Sequence, residues 1–106
     1  MELDIQLIKA LKTKLQLEFG EKIKDVILFG SRSNGNAEEY SDYDVLIIMS
    51  QKPDWNQKRK ISDLCYEIEL QNEVLIDSHI LSEPELQSLR GKQPIFQRAI
   101  RKGIYV

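Results

Sequence analysis

Val26-Ile27-Leu28-Phe29-Gly30-Ser31, followed after a polar interval by Ser41-Asp42-Tyr43-Asp44-Val45-Leu46-Ile47-Ile48-Met49, is the stretch that decides how this chain folds. Each half holds an unbroken apolar run of strand length, and continuous rather than alternating hydrophobicity marks a strand covered on both faces. A central strand ending in Gly-Ser and a neighbour opening with Asp-x-Asp are therefore expected. Side chains alternate along a strand, so Asp42 and Asp44 project from the same face. Between the two runs, residues 30–39 are small or polar and read mainly as a connection with room for one short helix. It is longer than an ordinary hairpin loop. Loops of that length on a rigid scaffold often carry function.

Upstream, Leu3, Leu7, Leu11 and Leu15 recur every four residues with Ile8 beside them. That is the stripe of an amphipathic helix of about four turns, closed by Gly20 as its C′ residue. Downstream, Ile61, Leu64, Cys65 and Ile68 follow the i, i+3, i+4, i+7 spacing, which predicts a second helix over 55–71 with Asp54 as N-cap. Cys65 lies on its apolar face and reads as a buried structural thiol. Trp55 and Tyr66, at helical spacing, read as core or core margin in preference to a partner interface. A third strand over 74–81 holds one acid, Asp77, and two residues later His79, the single histidine of the chain. Ser82-Glu83-Pro84-Glu85 matches a capping box opening a short helix through about Leu89, before Gly91. Ile95, Phe96, Ala99 and Ile100 form a last helical face ended by Gly103, after which Ile104-Tyr105-Val106 is a tail able to return to the core. The expected fold class is α/β (α+β), a short mixed sheet of three to four strands flanked by helices, in a single domain over residues 1–106.

Composition narrows the function classes. With 106 residues, 42% hydrophobic and 30% charged, one core is expected and a second is not. Fifteen Lys and Arg against seventeen Asp and Glu give a formal charge of −2, so the strong basic field that drives sequence-independent nucleic-acid binding is missing. A lone cysteine forms no internal disulfide, and Met1-Glu2-Leu3-Asp4 has neither the basic start nor the apolar core of a signal peptide. No apolar run approaches the length of a membrane span. The expected location is the cytoplasm.

The acids are where chemistry is expected. Mg²⁺ in nucleotide enzymes takes one or two protein carboxylates, with phosphate oxygens and water completing its octahedron. Asp42 and Asp44 meet that need, and two like charges so close are unfavourable without a counter-ion. Taken alone, an Asp-x-Asp reads as two solvated aspartates and a Gly-Ser as an ordinary turn. Their placement on consecutive strands makes them a constellation. Gly30 permits backbone torsions and close approach that other residues forbid, and Ser31 adds a hydroxyl, so the turn can hold β- and γ-phosphates against a metal. Asp77 by itself reads equally well as an inert acid at a sheet edge. Beside Asp42 and Asp44, it can complete a second metal site or take the proton from an attacking hydroxyl. His79 shares its face, and reads as a packed or surface imidazole ahead of a proton-transfer group.

Phe29-Gly30-Ser31, Gly35, Ser41-Asp42-Tyr43-Asp44 and Asp77 together resemble the apolar-Gly-Ser, Gly, Ser-Asp-x-Asp and single-acid pattern of the nucleotidyltransferase superfamily that includes DNA polymerase β. The length is similar to that of its shortest branch, the minimal nucleotidyltransferase (MNT) domains. The resemblance implies ATP as donor and Mg²⁺ as metal, with two ions expected. It further implies Asp42, Asp44 and Asp77 as catalytic metal-binding residues, with Gly30, Ser31, Arg32, Ser33 and Ser41 around the nucleotide. Members of this branch often pair with an all-helical HEPN protein in two-gene toxin–antitoxin modules, the MNT partner transferring AMP to a tyrosine of the toxin. The expected function is thus Mg²⁺-dependent transfer of a nucleoside monophosphate, AMP from ATP, to a hydroxyl on a partner protein. Larger relatives add a helical domain that binds the acceptor, so a partner protein or a second copy of this chain is expected to complete that side. The alternative is a catalytically weak binding module that neutralises a helical partner by occlusion. Transfer to a small molecule or to RNA is the weaker reading, without a second domain for the former or a basic surface for the latter.

Overall fold

The computed structural model describes residues 2–33 and 42–106. Helix α1 (Glu2–Phe19) leads through a short 3₁₀ turn into strand β1 (Ile23–Phe29), and β2 (Tyr43–Met49) is the next strand; most of the expected connection lies outside the described residues. Helix α2 (Trp55–Asn72), strand β3 (Ile76–Ser82), helix α3 (Pro94–Lys102) and the two-residue strand β4 (Ile104–Tyr105) complete the chain. The strands form one mixed sheet in the order β3-β2-β1-β4. Strand β1 pairs antiparallel with both β2 and β4, whereas β2 and β3 run parallel. A parallel pair needs a crossover rather than a hairpin, and α2 provides it.

The apolar runs become the two interior strands. Val26, Ile27, Leu28, Val45, Leu46 and Ile47 are each fully buried, because helices cover both faces. The apolar stripes of α1 and α2 close one side: Ile8, Leu11, Leu15, Ile61, Leu64, Cys65 and Ile68 pack with Val26, Leu28, Val45 and Ile47. The opposite face carries a smaller core, in which Phe96 and Ala99 of α3 meet Ile27, Phe29, Leu46, Ile48 and Leu81. Burying a Leu or Ile in such a core stabilises the fold by about 2–5 kcal/mol relative to Ala.

Local signals behave as their chemistry requires. Asp54 caps α2 by accepting from the Gln57 backbone N–H at 2.8 Å, and the Gln57 side chain returns the bond to the Asp54 N–H. Gly20 takes a positive φ of 60° where α1 ends, a left-handed turn that glycine adopts without Cβ strain. Three expectations are corrected and one, the returning tail, is made definite. The Ser82 capping box forms, but it opens a 3₁₀ turn (Glu83–Gln87) rather than an α-helix. The C-terminal tail does return to the core, as strand β4, with Ile104 and Val106 packed against the large core and the Val106 N–H bonded to the Val26 carbonyl at 3.0 Å. Leu3, at the start of the α1 stripe, is 84% exposed and takes no part in the core that Ile8, Leu11 and Leu15 join. Trp55 and Tyr66 are not core: they are 76% and 59% exposed, on the side of α2 turned away from the sheet.

Candidate active site

The register brings the expected acids together. In β2–β3 pairing Asp44 lies opposite Asp77, and in β1–β2 pairing Asp44 lies opposite Phe29, the residue before Gly30. Strand alternation sends the Asp44 and Asp77 side chains to the α3 face, close enough for the Asp77 charge to act on Asp44. Burial first, and then the neighbouring Asp77 carboxylate, hold the Asp44 carboxyl above its ordinary value; Asp42 adds to this and His79 opposes it. Asp42, immediately before β2, is exposed.

Gly30 is required by this arrangement. Its φ is +74°, and a Cβ at this position would collide with Asp44 Oδ2. The carboxylate therefore sits against bare backbone where the 3₁₀ turn Gly30–Ser33 begins. Ser31 and Ser33 belong to that turn, which carries the chain away from the end of β1. Gly35 and Ser41, also expected at the nucleotide, lie outside the described residues.

Two supports were not visible in the sequence. His79 Nε2 stands 3.5 Å from Asp77 Oδ2. Its ring is held between Phe29 and Phe96, each with centroids 5.9 Å away. The single histidine is thus packed, in line with its ordinary reading, yet it also touches the third acid. On the other face of β2, the Tyr43 hydroxyl donates to Asp4 Oδ1 at 2.6 Å. The Arg32 guanidinium lies 4.3 Å above the Tyr43 ring and 3.6 Å from the same Asp4 oxygen. Arg32 is accordingly placed on the Tyr43 side of the strand, tied to the start of α1, rather than with Asp44 and Asp77. Nothing local to Asp4 marks it, since its partners are far along the chain.

The donor set suits a divalent cation. Two carboxylates set this close repel one another, a repulsion that a bound cation would relieve. Among the described residues no three His, Cys, Asp or Glu side chains gather into a ready cage. Mg²⁺ does not require one, since it draws one or two carboxylates from protein and the rest of its shell from phosphate and water.

Comparison with known proteins gives this geometry a family. Residues 6–105 match the family model described as polymerase beta, nucleotidyltransferase. The chain belongs to the polymerase β nucleotidyltransferase family. Two Methanocaldococcus jannaschii proteins, each carrying the name "putative protein adenylyltransferase", are similar to this nucleotidyltransferase. One is 36% identical over 72 residues, spanning 68% of this chain and 73% of its own. The other is 36% identical over 88 residues, spanning 77% of this chain and 56% of its own. A solved structure described as a "putative minimal nucleotidyltransferase" superposes with a TM-score of 0.61 at 25% identity, covering 97% of this chain and 95% of that one. A toxin–antitoxin structure with AMP-PNP superposes with a TM-score of 0.57 at 18% identity, covering 91% and 69%, and shows the fold alone. The minimal nucleotidyltransferase assignment, the mixed sheet flanked by helices and the class of enzyme thus stand together.

Proposed function

We propose that the chain, acting over residues 1–106 as one minimal nucleotidyltransferase domain, transfers AMP from ATP to a hydroxyl on a partner protein, in the manner of an antitoxin modifying an all-helical HEPN-type toxin. The observation that carries this reading is the carboxyl pair Asp44–Asp77, set across β2 and β3 against the Gly30 turn. Support for the protein acceptor comes from the names of the similar proteins and from a structural neighbour in which a tri-AMPylated Shewanella oneidensis HEPN toxin is in complex with an MNT antitoxin. Asp42, Asp44 and Asp77 would hold Mg²⁺, with two ions expected. Bound there, Mg²⁺ supplies charge neutralisation for the attacking and leaving oxygens.

The residues of the chain have separable tasks in that reaction. The Gly30 turn would admit the triphosphate close to backbone, and the sequence pattern assigns Ser31, Ser33 and Ser41 to the nucleotide. Arg32, fixed by Asp4 and Tyr43, holds the turn in register with β2. The acceptor oxygen attacks the α-phosphorus, its bond to the α–β bridging oxygen breaks, and pyrophosphate leaves with the electron pair. Asp77, half-exposed beside His79, would complete the second metal site or take the acceptor proton.

The test is incubation with α-labelled ATP, Mg²⁺ and the helical product of the neighbouring gene. Label is expected on the partner and is expected to vanish with Asp42→Asn/Asp44→Asn. Absence of label, or equal labelling by the variant, contradicts the proposal. A second reading, neutralisation by occlusion, draws on the exposed Trp55, Tyr66 and Leu70 of α2. It predicts that the double variant still neutralises the partner.

A further inference from the structure

We propose that the outer edge of β3 is a docking site for an extended acidic peptide segment, which adds to the sheet as a further strand and carries the acceptor hydroxyl to Asp77. The Tyr43 N–H bonds to the Leu75 carbonyl at 2.9 Å, which fixes the direction of every main-chain group along β3. Residues 75, 77, 79 and 81 turn theirs toward β2, so Ile76, Ser78 and Ile80 turn theirs outward. Two of those outward groups are occupied. The Ile76 N–H donates to Glu69 Oε2 at 3.0 Å, and the Ile80 carbonyl accepts from Arg90 Nη2 at 3.1 Å. Between these two anchors the main chain of Ser78 faces out, and among the described residues nothing bonds to it.

That window opens into a cleft of about 410 Å³ whose walls include Lys52, Lys58, Glu85 and Arg90, with Ser78 and Ile80 along its floor. Three cations against one acid make it locally positive in a chain of net charge −2. The one acid is already committed. Burial pushes the Glu85 carboxyl up, but the Ser82 N–H and hydroxyl, Arg90 and Lys52 outweigh that and hold it below its ordinary value. The charge complement is therefore an acidic segment, and the unpaired edge calls for an extended one. Side chains of a strand paired at Ser78 would alternate between faces, so one would stand on the face of Asp77 and His79. The role as acceptor rests on the transfer reading above; the binding itself does not.

Two short fluorescent peptides of equal length test this against the full chain without nucleotide or metal, so that the outcome is independent of whether transfer occurs. Each has a central tyrosine, flanked in one by Glu and Asp and in the other by Lys. The acidic peptide is expected to bind at least about tenfold more tightly, with amide shifts centred on Ser78 and Ile80 in ¹⁵N spectra. Lys52→Glu/Lys58→Glu, both exposed positions, is expected to reverse the preference with the melting temperature kept. Equal binding of the two peptides, shifts lying elsewhere, an unaltered preference in the variant, or no binding at millimolar peptide would each overturn the proposal. The last result would mean that the lysines serve only to blunt an edge strand.

Discussion

The two faces of the sheet are built from the same strands and do different things. On the α1/α2 face, fourteen buried residues among those described form a continuous core, and its polar end is closed: Tyr43, Asp4 and Arg32 contact one another. On the α3 face a core of seven buried residues, counted among the described residues, stops short of the strand ends, where burial and the neighbouring Asp77 carboxylate hold the Asp44 carboxyl above its ordinary value and His79 is only partly covered. One residue step along β2 separates Tyr43 from Asp44, and that step divides structure from chemistry. Stability is concentrated on the large face so that two acids can be kept, unfavourably, on the small one.

The contrast is broken most severely by removing the acids. Asp44→Asn or Asp77→Asn is expected to lower AMP transfer by about a thousandfold, the scale of losing transition-state charge stabilisation. Stability should move the other way for Asp44. Its carboxyl lies above its ordinary value, so the stability it contributes is present below about pH 4 and lost as pH rises through the raised native value. Asp44→Asn is accordingly expected to melt at a higher temperature than the wild type at about pH 7, with the gap closing on acidification. Differential scanning calorimetry across pH checks both.

Core truncations sharpen the division. Leu28→Ala on the large face and Phe96→Ala on the small face should each cost roughly 2–5 kcal/mol in denaturant unfolding. Only Phe96→Ala should also reduce turnover among the folded molecules, because it removes one side of the His79 slot. Gly30→Ala is expected to cost about 1–2 kcal/mol through its positive φ, with a larger loss of activity than of stability, since the new Cβ displaces Asp44.

The smallest effect belongs to Tyr43. Burial, then its hydrogen bond to Asp4, pushes this hydroxyl up to about 12. Its contribution to stability is therefore present below the ordinary tyrosine value and lost as pH rises through about 12. Tyr43→Phe should cost about 1 kcal/mol, remove a tyrosine step near pH 12 from the ultraviolet titration, and raise KM for nucleotide through the loosened Arg32 while leaving kcat nearly intact.

What could be read in advance follows from how local each cause is. The interior strands, the α2 stripe and the Asp54 cap were legible because periodicity and capping act within a few residues. The Asp42–Asp44 spacing and Gly30 were legible for the same reason. The grouping of Asp77 with Asp42 and Asp44 was legible as a constellation, but its residue-for-residue opposition to Asp44 was not, since it depends on the parallel register of β2 and β3. Asp4 beneath Tyr43, and Phe29 and Phe96 around His79, join residues far apart in sequence. Trp55 and Tyr66 were misplaced because helical spacing says that residues share a face without saying which face meets the sheet. The tail became β4 because the free edge of β1 was available to it, a fact of topology.

The central claim is that the Asp44–Asp77 pair is a seat for a divalent cation and a nucleotide. Calorimetric titration of a non-hydrolysable ATP analogue, with and without Mg²⁺, into the wild type, Asp44→Asn and Asp77→Asn tests it directly. The account predicts saturable, Mg²⁺-dependent binding to the wild type that both variants lose. Binding that is indifferent to Mg²⁺, or equally strong in the variants, would contradict it.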